Sequence, residues 1–191
     1  MGWTVFLDAC VLYPSSTRDL LLRGAAAYLY RIRWSPEVLE EVRRNLVADQ
    51  RCTREQADDL IAVMTGYFPE ALVTGYEKLV PAMVTDEGDR HVLAAAVVAK
   101  ADVIVTDNVR HFPTAACEPF GLEVQTADEF LSFSFDRAPG AMGAAFLQQV
   151  ADWGRPTLNA SAALSRLDAR LPSLADRLRT LPDVRSAAGL R

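Results

Sequence analysis

The stretch Val5-Phe6-Leu7-Asp8-Ala9-Cys10-Val11-Leu12 constrains this chain more than any other. It is apolar apart from one carboxylate, Asp8, and the turn-forming Pro14-Ser15-Ser16-Thr17 follows almost at once. An apolar run of this length, ended by turn residues, reads as a strand buried on both faces of a parallel sheet. Open α/β sheets bind ligands at the carboxyl ends of their strands. An aspartate there costs free energy unless something cationic compensates it. The plainer reading is an acid that caps the turn before the next helix.

Further along, strand signals alternate with helical spacing. Ser16 or Thr17 caps a helix over Arg18–Tyr30, and Ile32-Arg33-Trp34 reads as a short strand or connector. Ser35 with Pro36 behind it opens a helix to Leu46, whose apolar positions Val38, Leu39, Val42 and Leu46 leave Glu41 on the flank of the buried face. Thr53 and Gln56 match a capping box for a helix to Tyr67. Ala71-Leu72-Val73-Thr74 reads as a second sheet strand, and Asp86 as the cap of an alanine-rich helix with Asp89 in its first turn. Ala101 to Val105 forms a buried strand ending in Thr106-Asp107-Asn108, and Leu122 to Gln125 forms one more. This alternation indicates an α/β fold with a central parallel sheet flanked by helices.

Residues Asp136 to Gly143 break the pattern, which divides the chain into a domain at 1–136 and a helical extension at 137–191. In the extension Leu164, Leu167, Leu171, Leu174, Leu178 and Leu181 recur at three- and four-residue steps. Pro172 splits this stripe into two short helices, so it is a packing face rather than a coiled coil.

Hydrophobic residues are 50 % and charged residues 24 % of the 191, ordinary globular composition. No apolar run approaches the roughly 18 residues of a membrane span, and no basic segment precedes the first strand, so neither a membrane anchor nor a signal peptide is expected. Cys10, Cys52 and Cys117 lack any paired spacing and are expected as small core residues in a reducing cytoplasm. The net charge of -5 is unevenly spread: residues 1–54 carry +2, 55–136 carry -11 and 137–191 carry +4. An acidic centre between arginine-bearing ends fits a carboxylate site flanked by surfaces that hold phosphates.

Two buried strands thus end in Asp8 and in Thr106-Asp107-Asn108, while two helices carry Glu41 and Asp89. In a parallel sheet these four places meet at one edge. Clustered carboxylates repel and cannot all stay ionised without a cation between them. Mg2+ or Mn2+, which take hard oxygen ligands, are the natural occupants.

These segments resemble the PIN-domain ribonucleases, including the VapC-type toxins of bacterial toxin–antitoxin pairs. The resemblance rests on Phe6-Leu7-Asp8-Ala9-Cys10-Val11-Leu12, on Trp34 through Glu41, on Asp86 through Ala96 and on Ala101 through Pro113, in the family's order over about residues 3–135. It implies a PIN-like three-layer fold, Asp8, Glu41 and Asp89 as metal-binding acids, and Thr106 near the metal-bound water. At the fourth position family members often read Thr-x-Asp, or place an acid just before the Phe. Here Asn108 and His111 occupy those places and Asp107 comes one residue early, so Asp107, Asn108 and His111 stand as alternatives. The resemblance further implies an RNA substrate, a homodimer and a cognate antitoxin that occludes the site. Arg18, Arg43, Arg44 and Arg110 are candidates for positioning RNA outside the acidic pocket.

Two rival readings remain at this level. A phosphatase using Asp8 as nucleophile would usually want a second acid two residues later, where this chain has Cys10. A catalytically weak PIN-like module would bind RNA or protein instead, holding its partner through the leucine-striped tail.

Overall fold

The computed structural model describes residues 2–153 and 159–190. Its sheet consists of β1 (Thr4–Leu7), β2 (Arg31–Arg33), β3 (Val103–Val105) and β4 (Glu123–Gln125). All pairings are parallel and the order is β2-β1-β3-β4. Val5 lies opposite Ile32 on one side and Val103 on the other. Every residue of β1 and β3 is buried, as central parallel strands with both faces covered require, whereas the outer strands expose Arg31 and Glu123. The helices, in chain order, are α1 (Ala9–Leu12), α2 (Ser15–Ala26), α3 (Pro36–Ala48), α4 (Arg54–Tyr67), α5 (Arg90–Val98) and α6 (Thr114–Cys117). They continue with α7 (Ala127–Arg137), α8 (Pro139–Asp152), α9 (Ala160–Asp168), α10 (Pro172–Leu178) and α11 (Pro182–Ala188). The expected α/β class, with a parallel sheet, flanking helices and a helical C-terminal region, is the class observed.

The chain passes from β1 to β2 on one side of β1 and returns to β3 on its other side. The strand order therefore reverses between β1 and β3. At such a switch point the two connections leave in opposite directions, which opens a crevice at the strands' carboxyl ends. Asp8 follows β1 directly and Thr106 follows β3 directly.

The chain forms two compact units, Met1–Pro14 with Tyr30–Thr126, and Ser15–Leu29 with Ala127–Arg191. In the first, α3 packs on α1 and α4. Ser35 caps α3 by accepting from the Val38 amide at 3.2 Å, and both bonds of the Thr53–Gln56 capping box form. In the second, α7 packs on α2, α8 and α10 around Phe130, Leu131, Phe146 and Leu174, all buried. Asp128 on α7 starts α10, accepting from the amides of Ser173 at 3.0 Å and Leu174 at 2.9 Å. The leucine stripe from Leu164 to Leu178 is buried, and Pro172 and Pro182 each open a new helix. Three short helices thus form where two were expected, because each proline lacks the amide needed to continue the preceding one.

Several local expectations differ from what forms. Ala71 to Thr74 is not a sheet strand: Pro69–Ala71 is a 3-10 turn and Leu72 makes one isolated bridge to Trp34. The pairing stops there because Ser35, next along, already caps α3. Helix α2 begins at Ser15, directly behind Pro14, so Ser16 and Thr17 lie inside it; it ends at Ala26 before Tyr28, whose φ of 58° is left-handed. Asp86 caps the 3-10 turn Glu87–Asp89 through the Gly88 amide, and α5 proper starts at Arg90. Among the described residues no helix is long and apolar enough to cross a membrane.

Candidate metal centre

Asp8 is the residue between β1 and α1, and only 3 % of it is exposed. Its extended backbone, φ -80° and ψ 159°, lets it act as N-cap, with Oδ1 accepting from the Ala9 amide at 2.6 Å. The plainer reading of Asp8 as a cap is therefore correct as far as it goes. The other oxygen has a different task. Oδ2 accepts from Thr106 Oγ1 at 2.6 Å and from Cys10 Sγ at 3.1 Å. A carboxylate offers about four lone-pair directions. Three are thus used, and one, on Oδ1, is left unclaimed among the described residues.

Burial pushes the Asp8 carboxyl up, and the charge of Asp89 adds to that; the bonds from Thr106, Cys10 and Ala9 oppose the shift without cancelling it. Asp89 stands at the N-cap of α5 but makes no side-chain cap bond. Its Oδ2 lies 2.8 Å from His111 Nδ1 instead. Asp86, Asp89 and His111 bring one ligand atom each to within 4.8 Å of one another. The Thr85 hydroxyl donates to the His111 carbonyl, which ties this acidic turn to the segment after β3.

Glu41 approaches the same region through His91. The imidazole is 6 % exposed, with Nε2 3.3 Å from Glu41 Oε1 and Nδ1 3.6 Å from Glu37 Oε2. The second distance is beyond hydrogen-bond range, and Nδ1 is a buried nitrogen with no bonded partner among the described residues. Burial alone would lower the His91 pKa, but Glu41, Glu37 and Asp8 around it hold it above its ordinary value. Glu37 and Glu41 are one helical turn apart on α3, so they flank one imidazole.

Carboxylate oxygens suit a hard dication, but the three ligand atoms that lie within reach of one ion among the described residues belong to Asp86, Asp89 and His111, not to Asp8 or Glu41. Asp8 holds its proton too tightly because it is buried beside another acid, and a cation would reverse both causes. This gives a pH expectation for the metal-free protein. The folded state keeps the Asp8 proton to higher pH than the unfolded chain, whose value is near 3.8. Asp8's contribution to stability is then fully present below that value and lost as pH rises through the raised folded one. The thermal midpoint of wild type relative to Asp8→Asn is expected to fall across that window, and saturating Mg2+ to abolish the slope. A difference independent of pH would mean that Asp8 is already compensated without a cation.

A family model for the PIN domain matches residues 4–110, more than half of the 191. The chain belongs to the PIN-domain family.

A second model, for the VapC50 C-terminal domain, matches residues 127–180. The PIN-domain chain is 37 % identical over 120 residues to a protein of Mycobacterium tuberculosis (strain ATCC 25618 / H37Rv) named "Putative ribonuclease VapC50", covering 63 % of this chain and 71 % of that one. No solved structure matches the chain.

The remaining expected residues of the PIN site are placed as follows. Asp107 and Asn108 reach the Asp8 network through their backbone amides, Asp107 N–H donating to Cys10 Sγ at 3.2 Å and Asn108 N–H to Thr106 Oγ1 at 3.0 Å. The Asp107 residue is exposed and Asn108 half-buried. Arg43 is tied to Asp58 at 2.9 Å and to Glu40, Arg44 is exposed, and Arg110 Nε meets His111 Nε2 at 3.3 Å. Arg18 belongs to the second unit. Sequence reasoning left Cys10 among the core residues and assigned no part in the carboxylate site to His91 or Glu37. The i,i+4 spacing of Glu37 and Glu41 and the position of His91 two residues after Asp89 were the available signals.

Proposed function

We propose that this PIN-domain protein is a divalent-cation-dependent endoribonuclease that hydrolyses RNA phosphodiester bonds, and that it is the toxin of a type II toxin–antitoxin pair. The observation that carries this reading is the buried Asp8 carboxylate hydrogen-bonded to Thr106 at the switch point of the sheet, with Asp89 close enough to raise its proton affinity. The ribonuclease name of the mycobacterial relative and the match to a VapC50 C-terminal domain support it.

Asp8, Glu41 and Asp89 would hold Mg2+ or Mn2+, with Asp107, Asn108 or His111 completing the set. Such an ion, when bound, lowers the pKa of a water and neutralises charge on a phosphate. The chain's own residues do the rest. Thr106 fixes the Asp8 rotamer, and the acidic pocket admits a phosphodiester only where positive charge offsets the carboxylates. His91, whose proton affinity Glu41, Glu37 and Asp8 raise, stands beside Glu41 and Glu37 at the edge of this pocket. Arg44 and Arg110 are exposed and suited to tracking the RNA backbone, with Arg18 and Arg43 as further contacts. All the acids lie within residues 1–136, to which we assign the chemistry, leaving 137–191 as a helical extension. The reading places the protein in the cytoplasm as a homodimer controlled by a cognate antitoxin that covers the site.

Incubating the purified protein with a fluorogenic RNA tests it. Cleavage is expected with Mg2+ or Mn2+, to stop on addition of EDTA and to return when Mn2+ is restored in excess. Cleavage indifferent to EDTA, or absent with both ions, would overturn the assignment.

A further inference from the structure

Cys10 sits two residues after Asp8, in the first turn of α1, and its sulfur touches three parts of the site. Sγ lies 3.1 Å from Asp8 Oδ2, 3.3 Å from Thr106 Oγ1 and 3.2 Å from the Asp107 amide nitrogen. Donor chemistry sets the direction of the contacts with the Asp107 amide and with Asp8. An amide N–H only donates, so Cys10 Sγ accepts from Asp107 and Thr106 Oγ1 accepts from Asn108. An ionised carboxylate only accepts, so the Thr106 O–H at 2.6 Å and the Cys10 S–H at 3.1 Å are both placed to donate to Asp8 Oδ2, while either atom could donate in the longer Cys10–Thr106 contact. Two parallel relays result, Asp107 amide to Cys10 to Asp8, and Asn108 amide to Thr106 to Asp8. Their second members come from segments 96 positions apart in the chain, yet they converge on one oxygen.

We propose that Cys10 is a positioning residue: together with Thr106 it occupies both lone pairs of Asp8 Oδ2, so that the carboxylate presents only Oδ1 to the bound cation. This rests on the nuclease reading above. The arrangement needs the thiol's proton, which an ordinary cysteine keeps at neutral pH. Such a thiol is a hydrogen-bond donor, not a nucleophile. Without it, Oδ2 regains a free lone pair, the carboxylate can turn about its bond, and the Asp107 amide loses its tie to α1. Groups that orient a metal ligand from behind are typically worth about 10- to 100-fold in metal affinity or activity.

The test compares Cys10→Ala, Cys10→Val and Cys10→Ser with the full-length wild type, following Mn2+ binding by calorimetry and RNA cleavage by initial rates. The alanine and valine variants are expected to lose about 10- to 100-fold in kcat or Mn2+ affinity, with KM for RNA unchanged. Serine, which keeps one donor and two acceptors, is expected to restore both to within about threefold of wild type. Circular dichroism checks folding; if the alanine variant does not fold, the serine–valine pair decides. Wild-type behaviour of the valine variant, or equal losses in serine and valine, would overturn the proposal by showing that the hydrogen bonds do no positioning. A wild type that binds Mn2+ but leaves RNA intact would instead sink the nuclease reading, and the Mn2+ affinities would still judge Cys10.

Discussion

Asp8→Asn is expected to reduce RNA cleavage by about a thousandfold or more while leaving the protein folded. The role proposed for Asp8, anchoring a catalytic dication, is worth several kcal/mol of transition-state stabilisation, and about 1.4 kcal/mol is tenfold in rate. The choice of asparagine matters. Its carbonyl oxygen can still accept from Thr106 and Cys10, as Asp8 Oδ2 does at 2.6 Å and 3.1 Å. Its amide nitrogen then faces the Ala9 N–H, so one of three bonds is lost rather than all of them. Circular dichroism and the thermal midpoint will show whether the fold survives, and initial rates on RNA with saturating Mn2+ report the activity. A folded Asp8→Asn protein that cleaves like wild type would place hydrolysis somewhere other than this switch point.

The largest stability effect is expected at Trp34. Its side chain is fully buried at the junction of β2 and α3, and its ring meets Phe68 edge-on at 6.1 Å. The Trp34 backbone also holds the segment after α4, donating to the Ala71 carbonyl at 3.0 Å and accepting from the Val73 amide at 2.9 Å. Truncation to alanine leaves a cavity the size of an indole, at a cost of about 3–5 kcal/mol. A domain of this size has about 5–15 kcal/mol in hand. Because Ser35 is the next residue and caps the helix that carries Glu37 and Glu41, activity is expected to fall with stability. Trp34→Phe should cost much less. The indole Nε1 is buried with no acceptor among the described residues, so phenylalanine removes an unsatisfied donor along with part of the ring. Urea denaturation of both variants measures this. A loss below about 1 kcal/mol for the alanine variant would mean that the surroundings collapse into the space, contrary to a rigid core.

Much of this molecule is legible locally. The buried character of β1 and β3 follows from apolar runs without polar alternation. The starts of α3 and α4 follow from Ser35-Pro36 and from the Thr53–Gln56 pair, since capping chemistry acts over three residues. Pro172 ends one helix and begins another for reasons internal to the proline ring. Where reading failed, it failed at the edges. Leu72 has the composition of a strand residue but finds one bridge partner, because the strand it would join turns into a helix.

The sequence by itself determined which acids end which strands, because strand periodicity and turn residues are properties of neighbours along the chain. Only the tertiary structure decided what those acids touch. Nothing local relates Cys10 to Thr106, or Glu41 to His91, since their proximity depends on how β1 and β3 register and how α3 and α5 lie about them. Nor could a break in composition reveal that Ser15–Leu29 belongs with Ala127–Arg191 in one compact unit. A carboxylate's proton affinity depends on burial and on charges brought near by folding, so the raised pKa of Asp8, the mark of a site that suits a cation, exists only in the folded chain.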